Sequence, residues 1–280
     1  MAVYDSPSDA LTHHSELIQE LSAGLAEERR KRVECENELA RLRDGKRMEE
    51  LRRAVATRIQ IGCGDKEVRW LQDALSRAEA YYAGHGLRIR SPGNITWVLT
   101  TGDHIPEGAF AAGCLSCDGP CDDETAQPTY VARAAVMENG IQVGRASADS
   151  LRGASFCFHG RERYEYIYEV LVTDAPSVRW VGASEDISLE TLKNQPIESG
   201  GIEEVNENPL YIIQAYYAGA WRPGKRTHLP PANAFIPYKG EEVWVKVGVQ
   251  YLSSFLSKLT ESYGYLGLSD FVPCDEVTFK

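Results

Sequence analysis

The sequence predicts a mainly β protein: a tandem-repeat, pseudo-twofold antiparallel β-sandwich that follows an α-helical coiled-coil extension. Three observations predict this fold. Residues 8–60 contain no proline and are dense in Glu, Arg, Lys and Leu, as long helices are. From Ile95 onward, short β-branched and aromatic runs are separated by Gly, Pro, Asn and Asp, as in antiparallel sheets. These runs then recur along the chain after about 80 residues.

The N-terminal segment has seam positions that alternate by three and four residues, which is typical of a coiled coil. Charged residues interrupt the seam, and its phase shifts after Leu42, which indicates a stutter. A single solvated helix packed on the body is the alternative; we expect an oligomerising coiled coil. The seam alone does not decide between parallel and antiparallel pairing of the helices. Parallel pairing would bring the Cys35 thiols of two chains together, whereas antiparallel pairing would keep them apart. The first seam position holds Leu11, Ile18, Leu25, Arg32 and Leu39, and the second holds His14, Leu21, Glu28, Cys35 and Leu42.

A second, shorter helix is predicted between the coiled coil and the β domain. Gly62 and Gly64 break the first helix, Asp65 can cap the second, and Gly84 can stop it. The turn cluster "RSPGN" then marks the start of the β domain. We therefore predict a coiled coil at 1–62, a second helix and linker at 63–93, repeats at 94–175 and 176–252, and a tail at 253–280.

The internal repeat rests on a collinear series of matching positions. Chance could supply one such match, but not a series of four in order. A single sheet of this size would leave an apolar face in water, so we expect the two copies to pair. The matches are Trp97-Val98 with Trp180-Val181, Tyr130 with Tyr211, Gly144-Arg145 with Gly224-Lys225, and "HGRE" from His159 with "KGEE" from Lys239.

Composition excludes several classes of partner. The chain has 280 residues and a formal net charge of −11, so we expect no nucleic-acid binding. No apolar run is long enough for a membrane span, and the N-terminus does not resemble a signal peptide. We expect a cytoplasmic protein, or one exported without a signal peptide. We expect no enzyme activity and no cofactor, since no phosphate-binding glycine loop or helical metal motif is present.

Several segments together closely resemble the DM9 repeat family over about residues 95–252. They are Trp-Val near the start, a Gly-containing acidic loop, "YVARA" or "LYIIQA", a Gly leading to "PGK", a Gly-Glu turn and "YEVLV". The resemblance implies a β-sandwich module and a mannose-binding lectin that acts in pattern recognition and innate immunity. Members of that family commonly lack signal peptides.

The resemblance also implies a sugar site in each repeat, made of a cation after Gly and an acid in the preceding loop. Sugar hydroxyls need such donors and acceptors. In repeat two the cation is Lys225, which we expect to project from a "PGK" turn, and the acid is Glu204 or Glu203. In repeat one, Arg145 replaces the family's lysine and Asp118 is the matching acid. A solvated charge on a turn is the alternative for both cations.

The loop of repeat one also contains a possible zinc motif. Cys114, Cys117 and Cys121 have the spacing C-x2-C-x3-C, and His104 or Cys157 could be a fourth ligand. Structural zinc sites usually have two paired knuckles, and no second one is present. We therefore expect free thiols, or one disulfide in an exported protein, and no metal.

Two functions fit these observations. One is a lectin that binds mannose or a mannose-type glycan and is oligomerised by the coiled coil for avidity and agglutination. The other is an intracellular interaction or scaffold protein whose β module binds a protein rather than a sugar. The departures from the family pattern at Arg145 and in the acidic loops keep the second open.

Overall fold

A computed structural model describes residues 7–83, 95–114, 127–136, 140–173, 177–183, 199–202, 208–227, 234–245 and 249–254, and the side chains of those between 17 and 252. Within them the chain forms two helices followed only by β-strands, which confirms the predicted mainly β fold with an N-terminal helical extension. Neither helix is apolar over a stretch that could cross a bilayer.

The helical extension consists of α1 (Pro7–Ile61) and α2 (Asp65–Ala83). Gly62 separates them at a φ of 107°, a conformation that glycine adopts without strain. Asp65 and Glu67 lie in the first turn of α2, where their negative charges interact favourably with the positive end of the helix dipole. The apolar residues of α1 differ in burial on the two sides of the phase shift. Leu21 and Leu42, before the shift, are exposed, whereas Leu51, after it, is buried.

Seven strands form repeat one and seven form repeat two in the described part of the chain. Repeat one has β1 (Ile95–Thr101), β2 (Ala111–Cys114), β3 (Pro128–Val136), β4 (Gly140–Ala146), β5 (Ala154–Phe158), β6 (Arg161–Glu165) and β7 (Ile167–Thr173). Repeat two has β8 (Val178–Ala183), β9 (Ser199–Ile202), β10 (Pro209–Tyr217), β11 (Ala220–Arg226), β12 (Ala234–Tyr238), β13 (Glu241–Val245) and β14 (Val249–Ser254).

The strand order shows the internal symmetry. Repeat one runs β1-β7-β3-β4-β5-β6, and repeat two runs β8-β14-β10-β11-β12-β13, which is the same order with seven added to each number. The two halves meet at β6 and β13, where Arg161 pairs with Glu241. The second strand of each repeat crosses over: β9 pairs with β4 at Ile202 and Ile141, and β2 lies against β11.

Glycines allow this crossing at equivalent places. A Cβ on Gly201 would lie 2.1 Å from the carbonyl oxygen of Ile141, and a Cβ on Gly113 would lie 2.1 Å from that of Trp221. No larger residue fits either position without moving the backbone. The crossing therefore requires a glycine at this position in each repeat. It places one strand of each repeat against the other repeat.

Three large apolar clusters fill most of the described structure, and a fourth consists of Cys114 and Ala220. The first joins α1 and α2 to repeat one, with Leu51 and Trp70 against Val98 and Tyr168. The second lies between the repeats, and the third lies in repeat two around Ile236. The helices thus cover one face of repeat one, and the second half of α1 is part of the core.

Ionic contacts reinforce the docking of the helices. The buried Glu169 on β7 accepts hydrogen bonds from Arg77 of α2 at 2.9 Å and from Arg133 of β3 at 2.7 Å. Arg47 of α1 donates to Thr100 and Thr101 of β1. Two arginines compensate the buried carboxylate, which would be costly alone.

Candidate functional site

The structure places Lys225 inside the protein. The prediction that it projects from a turn is wrong, because the "PGK" segment lies in β11 between β10 and β12. Lys225 is 4% exposed. Its Nζ donates to Gln142 Oε1 and to the carbonyl of Cys157, both at 2.8 Å. Both acceptors belong to repeat one, so Lys225 links the two repeats.

Arg145 is also on a strand rather than a turn, in β4, but it stays closer to solvent. Its Nε donates to Ser155 Oγ at 3.2 Å, and its Nη2 donates to Glu162 Oε1 at 3.1 Å. Its Nη1 has no hydrogen-bond partner among the described residues. One edge of this guanidinium is therefore fixed by the protein, and the other can donate to a ligand.

Gly144 and Gly224, which precede these cations, serve close strand packing instead of a turn. A Cβ on Gly144 would lie 2.1 Å from the carbonyl oxygen of Ser155, and a Cβ on Gly224 would lie 2.2 Å from that of Phe235. The true turns come later, at His159-Gly160 and Lys239-Gly240. All four of these residues have positive φ, as two-residue hairpin turns require.

The two Gly-Glu turns bind each other reciprocally. Glu162 Oε2 accepts from the backbone N–H of Gly240, and Glu242 Oε2 accepts from that of Gly160, both at 2.7 Å. The other carboxylate oxygens meet the cations: Glu162 binds Arg145, and Glu242 Oε1 lies 3.7 Å from Lys225 Nζ. The two cations predicted from sequence therefore anchor one symmetric junction between the repeats.

Other predicted residues lie outside the described residues: Glu203, Glu204, Asp118, Cys117 and Cys121. Cys114, at the end of β2, is described and is bonded in a disulfide, so it is not available as a zinc thiolate. Cys157 is buried, and burial raises the pKa of its thiol well above its usual value. Within the described residues, no cluster of His, Cys, Asp or Glu could hold a metal ion.

A cavity of about 370 Å³ opens beside Arg145, and it was not predicted. It lies under the connection from β4 to β5, which turns through Ser147–Gly153. The connection is held by Ser150 Oγ, which donates to the carbonyl of Gly153 at 2.6 Å. The cavity is lined by Arg145, Ser147, Asp149, Ser150, Arg152, Ser155 and Tyr164, together with small and apolar neighbours.

The cavity contains groups of the kinds that form hydrogen bonds with sugar hydroxyls. The Asp149 carboxylate makes no hydrogen bond or ion pair within the described residues, so it can accept from hydroxyls. Arg152 lies over the ring of Tyr164 at 3.9 Å, with no carboxylate partner in the described structure. Serine hydroxyls can donate or accept. The cavity volume falls within the range of roughly 300–1,000 Å³ that small-molecule sites occupy.

The sequence signal for this site is weak. "ASADSLRG" looks like any polar connection between strands, because a loop's composition does not show which side chains share a concave surface. Arg145 was the one member found by sequence. Asp149, Arg152 and Tyr164 were missed.

Comparison with protein families finds one match in this region. Residues 123–245 match the model of the DM9 repeat. This stretch is therefore similar to a DM9 repeat. The match runs from before β3 to the end of β13, so it includes both reciprocal turns, both cations and the cavity beside Arg145.

Beyond the DM9 repeat match, no curated protein matches the sequence. Among solved structures, the nematode sperm cell motility protein MFP2B matches with a TM-score of 0.43 and 16% identity. The match covers 59% of this chain and 48% of MFP2B, so the chain spans about half the length of that protein.

Proposed function

We propose that this chain is a lectin whose DM9 repeat region binds mannose or a mannose-type glycan, with the cavity beside Arg145 as its site. The observation that carries the proposal is the grouping of the Asp149 carboxylate, two guanidinium groups and three serines in one concavity within the matched region. Hexose hydroxyls are neutral donors and acceptors, and charged partners make the stronger hydrogen bonds to them.

The proposal moves the site within the DM9 repeat region. Lys225 is occupied by Gln142, Cys157 and Glu242, so we assign it to the junction between the repeats. Arg145 keeps a donor edge and an adjoining cavity, so we assign binding to repeat one. Glu203, Glu204 and Asp118 stay predictions as further ligands.

The test is a glycan array with the full chain, followed by titration calorimetry with the best ligand. Asp149→Asn and Arg152→Ala should each weaken binding by about 10-fold or more, since each removes a charged hydrogen-bond partner. Asp103→Asn and Arg161→Ala make the same charge changes at exposed positions that do not line the cavity, and should leave affinity unchanged. Equal affinity in all four variants would refute the site.

We further propose that the exposed part of α1 assembles the chains, so that weak sites act together. Apolar side chains in this part are at least 40% exposed: Leu17, Ile18, Leu21, Leu25, Val33, Leu39 and Leu42. Pairing would remove this surface from water. Light scattering should show an oligomer for the full chain and a smaller species for Leu21→Asp. A monomeric full chain at micromolar concentration would contradict assembly.

The burial of Lys225 favours a second candidate, a scaffold protein whose β module binds another protein. If the cation that resembles the family's sugar ligand is structural, the module could have kept the fold and lost the sugar site. Absence of binding to any glycan on the array, with the oligomer intact, would favour this function over the lectin.

A further inference from the structure

The exposed part of α1 has a charge pattern that selects one orientation of pairing. We infer that two copies of this chain pair antiparallel through α1, with Leu25 of one chain opposite Cys35 of the other. The inference rests on the proposed assembly and specifies its geometry. It does not depend on sugar binding.

The seam supports this register in the layers between Ile18 and Leu42. In antiparallel coiled coils, one seam position faces the other, so pairs form between the two sets of seam residues. Placing Leu25 opposite Cys35 also places Ile18 opposite Leu42 and Leu39 opposite Leu21. The same register brings Arg32 opposite Glu28. The two charges that interrupt the apolar seam therefore meet as opposite charges, once on each side of the twofold axis.

Parallel pairing would place each seam residue opposite its own copy. Arg32 would then face Arg32, and Glu28 would face Glu28, in the centre of the interface. Like charges at such positions are destabilising and act against the pairing. One sequence thus has matched layers in one orientation and two repulsive layers in the other.

The seam charges are free to pair. Glu28 is exposed and makes no hydrogen bond or ion pair within the described residues. Arg32 uses Nε for Glu36 at 2.9 Å, which leaves both of its Nη groups for a partner. Its side chain is 80% exposed, so no other part of the described structure covers it.

The orientation has a consequence for a lectin. Each β module begins to pack on α1 at Met48, beyond the paired part of the helix. Antiparallel pairing would hold the two modules at opposite ends, with their Met48 residues roughly 50 Å apart. Such a dimer can bridge two glycan-bearing surfaces, whereas a parallel dimer would present both modules on one side.

Cysteine cross-linking tests the orientation directly. Under mild oxidation, the native chain should form no bond between two Cys35 residues, because antiparallel pairing keeps them apart. Leu25→Cys should form a bond between position 25 of one chain and Cys35 of the other, or be joined there by a short thiol cross-linker. Peptide mass spectrometry identifies the linked positions. Bonds between like positions, 25 to 25 or 35 to 35, would overturn the inference while leaving assembly intact.

A charge exchange gives a second test that does not use thiols. Glu28→Arg alone should weaken dimerisation by about 10-fold, because Arg would then face Arg32 in two layers. Adding Arg32→Glu should restore the native dissociation constant, because the pairs are then reversed and opposite again. Failure of the double variant to recover would overturn the register. A monomeric native chain would overturn both the inference and the proposed assembly.

Discussion

The two repeats share one strand framework but differ at the position where β3 meets β7 and β10 meets β14. In repeat one, Arg133 stands opposite Glu169; in repeat two, Gln214 stands opposite Gln250. Repeat one is covered by α2, whose Arg77 adds a second cation to Glu169. Repeat two has a neutral amide pair, with 2.6 Å between Nε2 and Oε1. The same strand framework therefore forms with either an ion pair or an amide pair at this position. The ion pair occurs in the repeat against which α2 packs.

The largest expected effect on stability comes from removing the ion pair between Arg133 and Glu169. Glu169→Ala would leave the partly buried Arg133 without its carboxylate, and we expect a loss of about 3–5 kcal/mol in the free energy of unfolding. The matched change in repeat two, Gln250→Ala, removes a neutral hydrogen bond and should cost about 1 kcal/mol. Urea denaturation of both variants measures the difference. Equal losses in the two variants would show that the ion pairs of Glu169 stabilise the fold no more than the amide pair of repeat two does.

The second prediction concerns the two cations at the junction. Lys225→Met should lower the free energy of unfolding by about 2–4 kcal/mol, because it removes buried charged hydrogen bonds to the other repeat. Lys46→Met, at an exposed position on α1, is the control and should be close to neutral. An unchanged unfolding midpoint for Lys225→Met would mean that Lys225 is not a structural link and would return it to the list of candidate sugar ligands.

The strand framework and the helical extension were predictable, but the role of the Gly-cation pairs was not. β-branched runs and heptad spacing are local signals, and they mark β10 and α1 in the sequence directly. A Gly followed by a cation predicts a turn at Gly144 and at Gly224, because glycine is common in turns. Their actual constraint is the approach of a neighbouring strand's carbonyl oxygen, which depends on tertiary packing and leaves no local signal.

The same limit applies to the candidate site. Arg145 was found because the repeat places it opposite Lys225 in the alignment of the two halves. Asp149 and Tyr164 come from a loop and a different strand, and only the folded connection brings them to one cavity. The repeat could predict equivalent positions, but it could not show that one cation would be buried and the other partly open.

A third prediction uses pH to sharpen the difference between the helix-covered and uncovered repeats. Burial, and after it the nearby Arg47, lowers the pKa of His104 to about 4. In the unfolded chain its pKa is about 6.5, so the unfolded state binds the proton more readily. Stability should therefore fall by about 1–2 kcal/mol as the pH drops from about 6.5 to 4, after allowing for partial exposure. His104→Gln should remove this part of the pH dependence, and an unchanged profile would contradict the assignment.

The smallest expected effect tests whether the two turns are equivalent. Gly160 and Gly240 have φ values of 75° and 89°, and neither has an atom within 4 Å of a Cβ position. Gly160→Ala and Gly240→Ala should therefore cost about 1 kcal/mol each, through backbone strain alone. A clear difference between the two thermal midpoints would show that the two turns contribute unequally to stability, although their hydrogen bonds are symmetric.

The central claim is that repeat one binds the sugar and that Lys225 of repeat two joins the repeats. Titration of the isotope-labelled chain with methyl mannoside, followed by amide chemical shifts, tests this claim most directly. The account predicts shift changes concentrated at residues 145–153 and at Tyr164, with little change at Lys225 and Gln142. Changes centred on Lys225 and residues 203–207, or no changes at saturating sugar, would contradict it.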